Sequence, residues 1–421
     1  MAVVYGGKVK RTLSFGSRET GLVLAATCLV AGTYGLVRLA YGLFLPDIQA
    51  SLGLGAAAAG RISSGSSVAY CVAAGLGLLG ARWPRALVVG ALLTAATGSL
   101  GMALAPDLTV FVPAAVLSSA GAGLASPALV AVVARSVAPG RADRAQAVVN
   151  AGTGPGLVAA AALALVLLPG WRTGFAVSAA FTAAAGVAVL LLDRPVVPRP
   201  GREVAHEAAR EVPRPGGTPS WRPLRTPAVA AALLGAASAV VWTYGRSHVV
   251  AQGAGDTAST LAWMTLGVGG TATVLTARPL SSLSPPRAWL LTLTGTAAAI
   301  AALGLGAGAL PVALVACALF GWGFVAATSV LIGWAAGVAP QRTAAATAAL
   351  FITLVLGQAA GSTVAGVVAD HLGMSAAFVA SAGVAVVGAG CGWPGSRRAG
   401  ADGAPTAPPR MPHGETPRIQ V

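Results

Sequence analysis

Residues 22–46 read LVLAATCLVAGTYGLVRLAYGLFLP, and Arg38 is the one charged residue in this stretch. An α-helix of that length spans roughly 37 Å, which exceeds the ~30 Å hydrocarbon core of a bilayer. Inside lipid every backbone polar group must be paired within the protein, and a helix achieves this by itself. Because comparable apolar stretches recur along the chain, the sequence predicts an all-α polytopic membrane protein.

The composition excludes the soluble classes. Of the 421 residues, 56% are hydrophobic and 9% are charged, whereas a soluble domain has about 25% charged residues. The apolar runs are continuous, which disfavours a transmembrane β-barrel. The cysteines lie in apolar segments without metal-binding spacing, so we expect them to be packing residues: Cys28, Cys71, Cys317 and Cys391. No catalytic or nucleotide-binding motif is found, so we expect no enzyme, no cofactor and no metal.

The apolar stretches and the turn residues between them define twelve predicted spans. Their approximate bounds are 22–46, 56–80, 86–105, 109–134, 144–168, 172–192, 228–250, 258–280, 287–308, 311–335, 344–369 and 374–392. We place the first break at Pro46-Asp47. Others coincide with Pro84, Pro106-Asp107, Pro139-Gly140, Pro169-Gly170, Pro285-Pro286, Pro340 and Gly373.

The distribution of charge predicts the orientation. With both termini in the cytoplasm, most of the 27 basic residues fall on the inner side, as the positive-inside rule requires. The loops of the opposite side carry aspartates: Asp47, Asp107, Asp256 and Asp370. We therefore expect a multi-pass plasma-membrane protein with cytoplasmic N- and C-termini.

Composition also divides the chain into five segments. The 193–227 connection is rich in proline and charge, and within it Glu203 to Val212 favours a short surface helix. The segments are an N-terminal cytoplasmic stretch 1–20, a six-helix half 21–192, a cytoplasmic linker 193–227, a second six-helix half 228–392, and a disordered cytoplasmic tail 393–421.

Short sequence motifs of the first half recur in the same order in the second half. Val137-Ala-Pro-Gly-Arg141 returns as Val338-Ala-Pro-Gln-Arg342, and Thr33-Tyr-Gly35 returns as Thr243-Tyr-Gly245. Each pair occupies corresponding positions of corresponding spans. The repeat predicts two pseudo-symmetric halves in parallel duplication.

With these features the chain resembles the major facilitator superfamily of secondary transporters. The loop after span 2 carries Gly77, Arg82 and Arg85 of that superfamily's gating motif, but Ala81 stands in place of its aspartate. The charged latch that the motif normally makes is therefore not expected in its usual form. Gly154-Pro155 matches part of the span 5 motif of antiporters.

A narrower resemblance is to the YbfB/YjiJ-like branch of the superfamily. It rests on Gly35-Leu-Val-Arg-Leu-Ala-Tyr-Gly-Leu-Phe-Leu-Pro46 in span 1, on Trp242-Thr-Tyr-Gly-Arg246 in span 7 and on Gly357-Gln358 in span 11. The resemblance implies the twelve-helix fold and transport of a small molecule by alternating access.

Arg38 is the leading candidate for substrate binding. It lies near the middle of span 1, where a charge is expensive unless it faces a cavity or a partner. Tyr34 and Tyr41 fall on the same face of an α-helix. Arg246 occupies the matching place in span 7, one turn after Trp242. We expect the two arginines to converge, without a carboxylate nearby, on an anionic or polar solute.

Further polar residues complete the predicted site. Asn150 and Gln358 lie within spans 5 and 11 and are candidates for substrate contact. No aspartate or glutamate is expected at a span centre, so any coupled proton should use groups near the span ends or the span 7 histidine: Asp47, His248, Asp370 and His371.

These features favour a secondary active transporter that moves a small anionic or polar organic solute. Two alternatives stay open: efflux of amphipathic drug-like compounds, and a non-transporting membrane sensor on the same fold. We expect a monomer whose partners are a small-molecule substrate and the lipid bilayer, and no nucleic acid.

Overall fold

A computed structural model describes residues 17–194 and 222–391 of the chain. Its first part contains α1 Ser17–Val30, a π-helix Ala31–Leu39, α2 Ala40–Leu52, α3 Ala56–Leu79, α4 Pro84–Leu104, α5 Leu108–Ser136, α6 Pro139–Asn150, α7 Thr153–Leu167 and α8 Trp171–Leu192. The second contains α9 Arg225–Ala251, α10 Asp256–Ser281, α11 Pro285–Gly306, α12 Leu310–Val338, α13 Thr343–Leu372 and α14 Met374–Gly390. The expected surface helix at 203–212 and the tail from 393 lie outside the described residues.

The predicted all-α membrane fold is confirmed. Ten helical segments of the described residues are long and apolar enough to cross a membrane. The helices α10 and α14 complete twelve crossings, with α1, the π-helix and α2 forming one and α6 and α7 another. Proline begins α4, α6 and α11, where its missing N–H costs nothing.

The first span is longer than the sequence predicts. Pro46 does not break it: α2 runs on through Pro46 to Leu52 and ends at Gly53, whose φ of 65° is the left-handed conformation that glycine tolerates. The expected break at Pro46-Asp47 is therefore wrong. Neighbouring helices re-satisfy backbone groups that a proline frees, so a buried helix continues through it. Asp47 consequently lies inside a helix.

The two halves pack their helices in the same pattern, which confirms the repeat. In the first half α3 and α4 pack on α5 and α4 packs on α8; in the second α10 and α11 pack on α12 and α11 packs on α14. The π-helix packs on α7 as α9 packs on α13. Between the halves, α3 meets α13, α2 meets α9 and α7 meets α10.

Two ends of the helix bundle are distinguished by their loops. The Asp47 end carries the loops around 53–55, 105–107, 168–170, 252–255, 307–309 and 373. The Asp193 end carries the loops around 80–83, 137–138, 193–194, 282–284 and 339–342. These two names are used below without reference to the side of the membrane.

A buried carboxylate ties the first half together at the Asp193 end. Asp193, which is 2% exposed, follows α8 and accepts hydrogen bonds from Nε and Nη2 of Arg135 and from Ser136 Oγ. Arg85 Nε lies 3.5 Å from the same carboxylate and its Nη2 donates to Leu190 O. The arginine of the gating-motif loop thus pairs within its own half, with a residue that sequence reasoning did not single out.

This cluster predicts an asymmetric pair of mutants. Arg135→Ala leaves the buried Asp193 without its main partner and should lower the free energy of unfolding by about 3–5 kcal/mol. Asp193→Asn leaves two partly exposed arginines that water can solvate, so it should cost less, about 1–3 kcal/mol. The melting temperature of the purified protein in detergent checks the order. Arg82→Ala removes only an exposed stack on Trp83 and serves as the control; equal losses in Asp193→Asn and Arg135→Ala would contradict this account.

Candidate functional site

A cavity lies between the two halves at the level of the π-helix. It receives side chains from the first span, α3, α4, α5, α9 and α13. Its lining comprises Val37, Arg38, Leu39, Tyr41, Gly42, Ser63, Ser66, Ser67, Met102, Ala115, Ser118, Ser119, Ala239, Trp242, Thr243 and Gln358. One of these residues is charged, and many of the rest carry hydroxyl groups.

Arg38 is held in the cavity by neutral acceptors. Its Nε donates to Ser119 Oγ at 3.2 Å, and its Nη2 donates to Ser67 Oγ at 3.4 Å and to Gln358 Oε1 at 3.3 Å. The guanidinium also lies over the ring of Tyr70, 4.8 Å from its centroid. No carboxylate of the described residues lies within 4.0 Å of it. Its positive charge is therefore solvated by dipoles but not neutralised.

Arg38 lies in the last turn of the π-helix. A π-helix has more residues per turn than an α-helix and is often found at functional sites. Of the two tyrosines that α-helical spacing places on the Arg38 face, Tyr41 is a lining residue of the cavity and Tyr34 is not. Tyr41 lines the cavity and donates to Ala59 O at 3.1 Å. The hydroxyl group of Tyr34 shares a 2.9 Å hydrogen bond with that of Tyr70.

The cavity lining also includes an aromatic residue, Trp242. It packs edge-to-face against Trp263, Phe320 and Phe324, with ring centroids 5.3–6.3 Å apart. The indole N–H of Trp242 is buried and has no hydrogen-bond partner among the described residues. A buried donor without an acceptor is costly, so a ligand with an acceptor atom would relieve it.

Arg246 does not join Arg38 in this cavity, and the expected convergence of the two arginines is wrong. Arg246 is 1% exposed and donates to Asp47 Oδ2 at 2.5 Å, to Asp256 Oδ1 at 2.9 Å and to Leu43 O at 2.8 Å. The expectation that no acid lies nearby fails because Asp47 is part of a helix that packs on α9. Arg246 is thus neutralised between two carboxylates.

The Asp47 end of the bundle is closed by contacts between the halves. Besides the Arg246–Asp47 pair, Tyr244 Oη donates to Ala56 O at 2.8 Å and the Ala57 N–H donates to Asp370 Oδ2 at 3.0 Å. Gly42 carries no side chain where the carbonyl of Trp242 approaches, so α2 and α9 touch through their backbones. A molecule in the cavity cannot leave at this end unless these contacts separate.

The other predicted site residues lie apart from the cavity. Asn150 is exposed at the end of α6 and accepts from Gln146. His248 is buried against Phe378, with its Nε2 3.3 Å from Gly304 O, and His371 is exposed at the end of α13. Gly77 packs on Pro127, Gly154 faces Thr271 across the halves, and Pro155 is exposed.

The residues that the sequence analysis missed are mainly hydroxyls. Ser67 and Ser119 bond Arg38, and Ser63 shares a 2.9 Å hydrogen bond with Thr243 across the halves. One signal was present: residues 61–67 read RISSGSS inside an otherwise apolar span. A run of small hydroxyl residues in a span indicates an internal polar surface.

The match to a family decides where this architecture belongs. A family model of the Major Facilitator Superfamily matches residues 27–354. The chain belongs to the Major Facilitator Superfamily. Members of this superfamily are transporters and not enzymes. This confirms the predictions that the chain is a transporter and that it is not an enzyme. No curated protein matches the chain in sequence.

Solved structures of superfamily members share its fold at low identity. A bacterial homolog of the human lysosomal transporter Spinster, inward-facing and unoccupied, has a TM-score of 0.72 at 14% identity, with 90% of this chain and 97% of that chain covered. A D-xylose-proton symporter has a TM-score of 0.72 at 15% identity, with 90% and 98% covered. The nucleoside transporter NupG has a TM-score of 0.68 at 16% identity, with the same coverage. These likenesses concern the fold.

Proposed function

We propose that this superfamily member carries a small anionic or polar organic solute across the plasma membrane by alternating access, and that Arg38 binds the solute. The observation that carries the proposal is the contrast between Arg246, which is buried, and Arg38, which is partly buried. Arg246 has two carboxylates, whereas Arg38 has only neutral acceptors in a cavity between the halves. An uncompensated guanidinium in a low-dielectric site favours an anion.

Alternating access would move residues 21–192 against 228–392 around the cavity. The described conformation has its Asp47 end closed, so opening that end would break the Arg246–Asp47 pair. In the open form the solute would reach Arg38 from the Asp47 side. The linker 193–227 would join the two moving bodies.

Flux through the purified protein in proteoliposomes tests the function. Radiolabelled benzoate serves as a small anionic probe, and its uptake should depend on Arg38. The aromatic cluster at Trp242 favours a second candidate, efflux of amphipathic compounds, which a neutral amphipathic dye would reveal. Absence of flux for every probe would instead favour the membrane sensor.

The orientation follows from the charge distribution and makes a prediction of its own. We expect the Asp193 end to face the cytoplasm, since most basic residues lie on that side. Reporter fusions after residues 200 and 400 should read cytoplasmic, and one inserted near Asp256 should read extracytoplasmic. Inverted readings would overturn the orientation, and different locations for the two termini would overturn the even number of spans.

Proton coupling, where flux shows it, should depend on Asp47 above the other candidates. Asp47 pairs across the halves with Arg246, and Asp370 bonds the Ala57 N–H across the halves. His248 and His371 lie away from the cavity lining. Asp47→Asn should therefore abolish the response of flux to a pH gradient, while His371→Gln retains it. A pH-driven flux that survives replacement of all four groups would exclude this assignment.

A further inference from the structure

Gln358 reaches Arg38 from the opposite half of the protein. It belongs to α13, is 8% exposed, and its amide oxygen accepts from Arg38 Nη2 at 3.3 Å. Arg38 belongs to the first span. The contact therefore joins the two halves through the very group that is proposed to hold the solute.

The carboxamide of glutamine has nearly the shape of a carboxylate. Both are planar and both present an acceptor oxygen at the same reach, but the amide carries no charge. A guanidinium binds a carboxylate more strongly, because the hydrogen bonds are charge-assisted and often bidentate. Gln358 thus occupies a position that a carboxylate would fill with greater affinity.

The cavity lining limits the charge of such a ligand to one. Arg38 is the single charged residue among the lining residues, so a second negative charge would lie uncompensated in a low dielectric. Ser67 and Ser119 accept from Arg38, and their own O–H groups have no acceptor among the described residues. Trp242 also lines the cavity and contributes an apolar ring and an N–H that has no partner among the described residues.

Resting on the function proposed above, we infer that the solute is a monocarboxylate with an apolar body, and that its carboxylate displaces the Gln358 amide from Arg38. Gln358 is then a neutral placeholder that holds the empty site together across the halves. Because the displaced contact joins the halves, binding of the solute removes one of the interactions that fix their relative position. This gives the solute a different affinity for the two arrangements, which a transport cycle requires.

The test measures binding to the full-length protein in nanodiscs by calorimetry with three matched probes. Benzoate is the monocarboxylate, benzamide is its neutral counterpart and terephthalate adds a second carboxylate to the same ring. The variants are Gln358→Glu, which places a permanent carboxylate beside Arg38, and Gln358→Ala, which removes the placeholder. Gln252→Glu makes the same chemical change on the exposed loop after α9 and is the control.

The two variants should change benzoate affinity in opposite directions. Gln358→Glu should weaken it at least about tenfold, because close charge pairs couple strongly and Arg38 is already neutralised. Gln358→Ala should tighten it about 10- to 10²-fold, the factor that corresponds to one competing hydrogen bond to a charged group. The wild type and Gln252→Glu should bind benzoate alike and should prefer it to both benzamide and terephthalate.

Several outcomes would overturn the inference, and they are distinct. If the wild type binds benzoate but Gln358→Ala weakens it, Gln358 is a ligand contact and not a placeholder. If Gln358→Glu binds benzoate like the wild type, the carboxylate does not occupy this position. Preference for terephthalate refutes the single charge. If the wild type binds none of the acids, or binds benzamide equally well, the anion site itself is wrong and the inference falls with it.

Discussion

Replacing Arg38 with alanine is expected to abolish binding of benzoate while leaving the protein folded. Two charge-assisted hydrogen bonds are worth about 3–6 kcal/mol together, which corresponds to a loss of roughly 10²–10⁴-fold in affinity. The fold should tolerate the change, because the partners left behind are neutral hydroxyls and an amide: Ser67, Ser119 and Gln358. Calorimetry and the melting temperature of the same sample measure both quantities.

The conservative variant separates charge from shape. Arg38→Lys keeps the charge but loses the planar fork, so it should restore only part of the affinity. Tyr41→Phe removes one hydroxyl from the lining and should weaken the binding free energy of benzoate by about 0.5–1.5 kcal/mol. Arg172→Ala makes the arginine-to-alanine change at the Asp47 end, where Arg172 donates to Ala105 O, and should bind benzoate like the wild type. Unchanged affinity in Arg38→Ala would refute the site.

The depth of Arg38 was predictable because it depends only on residue counting. A helix rises a fixed distance per residue, so a charge far from both ends of an apolar run must lie near the membrane middle. The direction of its side chain was not predictable. Residues 31–39 form a π-helix, along which Gly32 packs against Thr182 and Gly35 against the backbone of Gly156. Such contacts are tertiary and leave no local pattern.

The prediction that Arg246 converges with Arg38, without a carboxylate nearby, fails for a different reason. The separation of Arg246 from Asp256 along the chain predicts its depth in span 7, but proline chemistry predicts that the first span ends at Pro46. The helix continues, and Asp47 therefore faces α9 instead of lying in a loop. Arginine is also long enough to reach past its own helix turn, so its backbone depth says little about where the charge lies. The pairing could be found only from the packing of α2 on α9.

Replacing Arg246 with alanine is expected to lower the stability of the protein, whereas Arg38→Ala is expected to abolish binding and leave the protein folded. The side chain of Asp47 is only 10% exposed, so the variant leaves a nearly buried carboxylate without a cation, which costs about 3–5 kcal/mol. The side chain of Asp256 is 56% exposed, so water can replace its lost partner and the loss of that ion pair costs little stability. The loss falls on the conformation whose Asp47 end is closed, because Arg246 and Asp47 belong to different halves. The variant should therefore melt earlier and favour the form that is open at this end.

Alkylation of a cysteine in the cavity reports that opening. In a background with the four native cysteines replaced by alanine, Ser66→Cys should react faster with a membrane-impermeant maleimide from the Asp47 side when Arg246 is alanine. Asp256→Asn should change neither the rate nor the melting temperature appreciably. Arg246→Met combined with Asp47→Leu should recover stability, since an apolar pair can replace a buried ion pair at little cost. Equal labelling rates with and without Arg246 would show that the ion pair does not hold the Asp47 end closed, and the double variant would then stabilise the protein without changing access to Ser66→Cys.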